Sequence, residues 1–301
     1  MLLGRYSCIL FALMTLRAYA KINLGLQIIG KRPDGYHDIE TVFHQINLSD
    51  EIELSPGGNG IHLHSDDREV PTDEHNLCIK AAQLLQQITG AQHGIDIVLR
   101  KRIPIGAGLG GGSADAAATL LGLTKLWKLD ISHDELRALS LTLGADVPFF
   151  IEGGTAYATG KGERLEPMEL EVPYWILTAT PSVHISTTWA YGKIDPNSHV
   201  RQENLRLLVG QYLQEPRVLV NKLRNDFEPA VFRHYPEVMR AKEQLVRGGA
   251  DFALMSGTGS SVFGFFSNGA YAKELAVTLA PLHHISLTEP FFKPEPVFLS
   301  E

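Results

Sequence analysis

From Gly106 to Gly112 five of seven residues are glycine, within the run Lys101-Arg-Ile-Pro-Ile-Gly-Ala-Gly-Leu-Gly-Gly-Gly-Ser-Ala114. Glycine loses the most backbone freedom on ordering, so no packed helix or strand favours that spacing. An apolar run carrying Ile95, Ile97 and Leu99 leads in, and Pro104 stops strand pairing. Ala-rich sequence of high helix propensity follows, from Ala114 to Leu121. A loop without side chains that feeds a helix start gathers free N–H groups at the positive end of the helix dipole, and the chemistry of such a place is phosphate binding. A second candidate is Asp146, a lone carboxylate in Gly144-Ala-Asp-Val-Pro-Phe-Phe-Ile151, where burial is costly without a partner. It reads equally well as a turn or capping aspartate. Lys21 and Asn23 share one face of a period-two strand, Ala18 to Ile28, whose even positions are all apolar. On the residues alone, both look at solvent from an edge strand.

The type of phosphate site is less direct. No Lys-Ser or Lys-Thr follows the glycines, so the Walker pattern is absent. Gly106-x-Gly108-x-x-Gly111 matches the dinucleotide fingerprint, and Asp130 stands near the expected offset for its acid. Asp130, however, lies just before a helix signal rather than at the end of a second parallel strand. A glycine turn that only lets strand and helix pack closely is the remaining alternative.

These groups need a scaffold, and 301 residues at 44% hydrophobic and 20% charged bound it to a globular protein of two domains. A net charge of −7 without a basic run argues against nucleic acid or an anionic membrane as partner. Cys8 and Cys78 have no metal-like or redox spacing, and the 12 histidines form no ligand pair, so no protein metal site is expected. Arg5, an apolar run and Ala18-Tyr19-Ala20 imitate a secretion signal, but cleavage there would delete half of the strand. Residues 1–13 are therefore expected to be a leader ahead of a natural start at Met14.

Pro33-Asp34-Gly35 is a turn, and strands are expected at Glu40–Leu48 and Glu51–Leu54, on either side of a Ser49-Asp50 turn, and at Ile61–His64. Asn76 is a helix N-cap, Gly90 a stop, and Ser132-His-Asp-Glu135 a capping box. Asp115, expected in the first turn of the Ala-rich helix, is explained by the helix dipole. A hairpin through Gly160-Lys-Gly162, a Glu/Pro-rich boundary over Glu163–Pro173, and strands at Tyr174–Thr180, Phe252–Met255 and Val262–Phe266 follow. Helices are expected from Val183, over Pro236–Arg247 and over Ala270–Leu279.

Pro104 to Ala114 resembles the central Pro-x-x-x-Gly-Leu-Gly-Ser-Ser-Ala motif of the galactokinase, homoserine kinase, mevalonate kinase and phosphomevalonate kinase (GHMP) superfamily. Ala20-Lys-Ile-Asn-Leu24 and Met255-Ser-Gly-Thr-Gly-Ser-Ser-Val262 resemble its other two motifs. Lys31-Arg-Pro-Asp-Gly-Tyr-His37, Leu143-Gly-Ala-Asp-Val-Pro148 and Asn225-Asp-Phe-Glu-Pro229 are similar to the branch that phosphorylates a cytidine-diphosphate-linked alcohol in non-mevalonate isoprenoid synthesis. The resemblance runs from about Thr15 to about Leu287, and six ordered motifs make it specific.

The resemblance implies a two-domain α+β fold. Residues 14–165 would form a ribosomal S5 domain 2-like, ATP-binding domain, and residues 166–301 a ferredoxin-like one. It implies ATP over Pro104, Ile105, Gly106, Ala107, Gly108, Leu109, Gly110, Gly111, Gly112, Ser113 and Ala114, with Asn76 and Lys101 near the adenine and Mg²⁺ bridging the phosphates. Lys21 and Asp146 would be catalytic, Asn23 and Thr187 would face the acceptor, and Tyr36, His37 and Tyr191 would hold its cytosine. The Met255–Val262 loop would brace the phosphate site. Ser186 and Thr188 stand where prolines are common in that branch, and Tyr191 where Phe is, which leaves the stacking role intact but its placement open. A cytoplasmic small-molecule kinase is the expectation. Other GHMP kinases, a nicotinamide oxidoreductase and an RNA-binding S5-like protein are the alternatives.

Overall fold

The computed structural model describes residues 13–90, 93–194, 204–295 and 297–300, so the expected leader lies outside the described residues except for Leu13. Along the first half run β1 (Met14–Lys31), β2 (His37–Pro56), β3 (Ile61–Ser65), α1 (Leu77–Thr89), β4 (Ile95–Arg100), α2 (Gly111–Leu126), α3 (His133–Ser140), α4 (Val147–Glu152), β5 (Thr155–Thr159) and β6 (Arg164–Pro167). There follow β7 (Trp175–Thr180), α5 (Thr187–Tyr191), α6 (Leu205–Tyr212), α7 (Pro216–Lys222), α8 (Glu228–His234), α9 (Pro236–Arg247), β8 (Phe252–Met255), β9 (Val262–Phe266), α10 (Gly269–Leu279), β10 (His284–Thr288) and β11 (Phe298–Ser300).

β1 and β2 are the frame. They pair antiparallel from Lys31 opposite His37 back to Met14 opposite Leu54. The expected turn at Ser49-Asp50 is not there, because β2 runs straight through it. Tyr19 faces Ser49 while Lys21 faces Gln45, so the extra residues of β2 are absorbed as a bulge in the ladder. The even face of β1 is buried, as its alternation predicts, but in two places: Leu16 and Ala18 pack in the first domain's core with α2, whereas Ala20, Ile22 and Leu24 pack with second-domain residues such as Leu205 and Phe263. The odd face, expected in solvent, is also covered: Lys21 is 4% and Asn23 1% exposed. Period two told the faces apart but carried no information about the second domain, which roofs this one.

The first sheet has the order β11-β1-β2-β4-β3, with β5 on β2 and β6 on β5. β4 pairs antiparallel with β2, so the strand before the glycine loop is not the centre of a parallel dinucleotide-binding sheet. The second sheet, β10-β7-β9-β8, is antiparallel, with α9 and α10 supplying the helices of a ferredoxin-like β-α-β-β-α-β unit. Phe263, Phe265 and Phe266 are fully buried in its core. The capping box at Ser132 and the left-handed Gly90 cap form as expected. No described helix is long and apolar enough to cross a membrane.

His44, on β2 and 5% exposed, shares a 2.7 Å hydrogen bond through Nδ1 with the Thr155 hydroxyl. Burial lowers its pKa from 6.5 to about 4. The unfolded chain therefore takes up a proton that the folded chain refuses. Stability is unaffected above pH 6.5 and falls between 6.5 and 4, by about 3 kcal/mol. Thermal melts at steps over this range should show a His44→Gln variant losing less stability on acidification than the parent. Parallel melting curves for the two would refute a buried neutral His44.

Candidate active site

The glycine loop joins β4 to α2. Gly110 is the N-cap of α2 at φ 73° and offers no side-chain cap, which leaves the first helical N–H groups for a ligand. Gly108, at φ 78°, lies so close to the second domain that a Cβ there would stand 2.2 Å from the Ser256 carbonyl oxygen. Backbone bonds lace the loop in place: Lys21 N–H donates to Leu109 O at 2.9 Å, and Ser261 N–H donates to Ala107 O at 3.1 Å. The three motifs thus meet backbone to backbone.

Lys21 projects from β1 under this junction. Its Nζ donates to Asn23 Oδ1 at 2.7 Å and to Gly108 O at 3.2 Å, and lies 3.8 Å from Asp146 Oδ2. Burial lowers the Lys21 pKa, and Asp146 opposes the shift. Asn23 donates from Nδ2 to the Thr41 hydroxyl, while the Ser256 hydroxyl reaches Gly108 O at 2.9 Å and Asn23 Oδ1 at 3.3 Å. Asp146 stands just before α4 and makes no capping hydrogen bond, and its side chain is 33% exposed. The capping alternative for Asp146 therefore falls away, and its carboxylate points to Lys21 and the cleft.

A cleft of 1440 Å³ runs from Asn76 past the loop and Asp146 to Tyr36 and Tyr191. Pro104, Ile105, Ala107, Ser113, Lys101, Asn23, His37 and Thr187 all line it. Leu109 and Ala114 do not: at 1% and 2% exposed, their side chains turn into the core.

At one end, Tyr36 is 60% exposed, with Lys161 Nζ 4.5 Å above its ring. His37 and Tyr191 stack on each other, centroids 5.1 Å apart, and Tyr191 meets Phe227 edge-on at 4.9 Å. The expectation was Tyr36 and Tyr191 as walls with His37 at the base edge. Here His37 occupies a face of Tyr191, so a base stacking on that face displaces it. Burial pushes the Tyr191 phenol up to about 12, which keeps it neutral. Thr187 opens α5 with its hydroxyl 3.5 Å from that of Thr258. Ser186 caps the helix, which gives this departure from the family pattern a structural use.

At the other end, Asn76 caps α1: its Oδ1 accepts from Cys78 N–H and its Nδ2 donates to Pro71 O. Lys101 Nζ is held between Asp50 at 2.5 Å and Asp115 at 2.8 Å. Asp115 is not in the first turn of α2, so the dipole explanation is corrected. It is 3% exposed, and burial raises its carboxyl to about 8 against the pull of Lys101. Sequence reasoning missed Asp50, because Ser-Asp after a strand reads as a turn. It also gave no role to Asn225, whose Nδ2 donates to Met255 O and Gly257 O and so fixes the loop after β8. Among the described residues, the one group with metal-like spacing is Asp73, Glu74 and His75, all exposed.

The description "GHMP kinases N terminal domain" matches residues 76–154, and "GHMP kinases C terminal" matches residues 205–280. A 4-diphosphocytidyl-2-C-methyl-D-erythritol kinase of Chlorobium phaeobacteroides (strain BS1) is 46% identical over 281 residues, which are 93% of this chain and 98% of that protein. A crystal structure of 4-(cytidine 5'-diphospho)-2C-methyl-D-erythritol kinase matches with a TM-score of 0.81 and 35% identity, covering 91% of this chain and 98% of that one. A homoserine kinase from Cytophaga hutchinsonii, at 18% identity and a TM-score of 0.73 over 95% of this chain and 98% of its own, shares the fold. This chain is a GHMP kinase and belongs to the 4-diphosphocytidyl-2-C-methyl-D-erythritol kinases.

Proposed function

We propose that this chain transfers the terminal phosphoryl group of ATP to the 2-hydroxyl of 4-diphosphocytidyl-2-C-methyl-D-erythritol, in the cytoplasm, as a step of non-mevalonate isoprenoid synthesis. The observation that carries the reading is one cleft that contains an uncapped helix start, a Lys21–Asp146 pair 3.8 Å apart beside it, and aromatic rings at its far end. The N–H groups of Gly111, Gly112 and Ser113 face the phosphates. Asp146 orients the acceptor hydroxyl and takes its proton as the new O–P bond forms and the bond to ADP breaks. A carboxylate is a weak base for an alcohol, so in a loose transition state its larger contribution is positioning. Lys21 balances charge on the transferring group and holds Asp146 in place.

The donor set fits an Mg²⁺ that arrives with the nucleotide, because this end of the cleft offers oxygen donors but, among the described residues, no cage of three at the helix start. The Ser113 hydroxyl would be the protein's share of its ligands, with Asp115 engaged by Lys101 and Asp146 by the acceptor hydroxyl and Lys21. When bound, the ion neutralises phosphate charge.

ATP consumption across candidate acceptors is the direct test: turnover is expected with the cytidine-diphosphate-linked acceptor and not with mevalonate or homoserine. Tyr36→Ala and Tyr191→Ala should each weaken acceptor binding by about 1–3 kcal/mol, the worth of one stacked base face, with ATP binding nearly unchanged. Equal turnover of an acceptor without the cytidine would overturn the substrate assignment.

A further inference from the structure

The glycine loop is free to do its work only if both of its ends are fixed, and one buried carboxylate reaches both. Asp50 lies on β2, 0% exposed. Its Oδ1 accepts the N–H groups of Arg102 at 2.5 Å and Ile103 at 2.9 Å, the two residues before Pro104. Its Oδ2 accepts Lys101 Nζ at 2.5 Å, and the same ammonium donates to Asp115 Oδ2 at 2.8 Å, on α2 beyond the glycines. A Cβ on Gly111 would stand 3.3 Å from Lys101 Nζ, so the bridge passes directly beneath the helix start. We propose that Asp50 is a positioning residue for nucleotide binding, stapling the entry and exit of the phosphate loop through Lys101 and Asp115.

The physical reason lies in the loop's composition. Gly106, Gly108 and Gly110 supply the positive φ angles and Gly108 the close approach to Ser256, and the five glycines together give the segment the largest backbone entropy to lose. Fixing Arg102, Ile103 and Asp115 to one anchor limits that freedom before a nucleotide arrives, so less ordering is left to binding. The staple also gives Lys101 a different part from the one expected of it. Its ammonium is engaged by the Asp50 carboxylate and the Asp115 carboxyl beneath the loop, and it acts on the nucleotide through the loop's shape. Asp50 Oδ2 offsets a cation that would otherwise sit unpaired beside the positive end of α2, and Asp115 Oδ2 accepts its second hydrogen bond.

The inference rests on the loop's being the ATP site, and its test is kept independent of the acceptor. ATP·Mg²⁺ binding is measured by titration and by thermal shift for Asp50→Asn, which keeps an oxygen for the two N–H groups but turns an amide toward Lys101. Binding should weaken at least about ten-fold, as misplacement of a positioning loop does. KM for ATP should rise with it, while KM for the acceptor stays within two-fold. In the double variant Asp50→Asn, Lys101→Gln an amide–amide bridge can replace the ionic one, and most of the ATP affinity should return. An unchanged ATP titration for Asp50→Asn overturns the proposal, as does equal weakening of both substrates. So does a double variant that binds ATP worse than Asp50→Asn alone, since Lys101 would then be a direct ligand. Should the acceptor assignment fail instead, the unaltered protein will give an ATP shift without turnover.

Discussion

Asp146→Asn is expected to lower kcat by about 10²–10⁴-fold, the usual cost of losing an acid–base group, with both substrates still bound. The asparagine keeps the shape of a side chain that is 33% exposed and makes no helix-capping bond, so α4 does not depend on its charge. Lys21→Met should lose a comparable factor, because Lys21 Nζ is the cation 3.8 Å from that carboxylate. The double variant should be little worse than either single one, since groups that act as a unit are not additive. The measurement is kcat for the three variants, with binding of each substrate titrated separately. A rate near that of the parent for Asp146→Asn, or losses that multiply in the double variant, would remove the pair from the mechanism.

Gly108→Ala should be the most damaging small substitution in the cleft. The position holds φ 78°, which costs a residue with a side chain about 1–2 kcal/mol. Its Cβ would also stand 2.2 Å from Ser256 O and 3.1 Å from Gly259 O, both backbone atoms that cannot rotate aside. Relief requires the first domain's loop to move away from the second domain's loop, and the Lys21–Gly108 and Ser256–Gly108 bonds go with it. ATP titration should show binding reduced beyond about 100-fold, in keeping with misplacement of an oriented site by an ångström. The melting temperature should fall by at least about 5 °C. Gly210→Ala, in α6 with nothing within 4 Å of its Cβ, should hold or raise the melting temperature and so control for a general intolerance of alanine. Normal ATP affinity in Gly108→Ala would mean that the two loops are not in the contact described.

What could be read beforehand follows the range of the signal. The Ser132 cap with Glu135 three residues on, the hairpin through Gly160 and the strands flanking the Ser256 loop are local, and all three formed where expected. α4, α7 and α8 were not anticipated, although each carries proline in its first turn, a helix-start signal that the sequence does contain. The burial of Lys21 and Asn23 was not legible, because a strand's period sorts its faces without saying what covers them. Asp50 and Asp115 meet across Lys101 although 51 and 14 residues separate them from it, and nothing in Ser-Asp or Ala-Asp announces that. At the site, the motifs located Lys21, Asp146 and the glycine loop together. The stacking of His37 on Tyr191 is a matter of ring placement that no motif carries.

The pairing of β11 with β1 joins Thr15 to Ser300 and Leu16 to Phe298. A chain made from its N-terminus lays down β1 long before β11, so the outer margin of β1 at Thr15 and Leu16 stays unmatched until the ribosome has delivered residue 300. The first domain, although earlier in order of synthesis, is thus the last to have its sheet completed. In the interval an open margin is a template for neighbouring nascent chains, and the closing strand is three residues long, so it completes the sheet without a slow search.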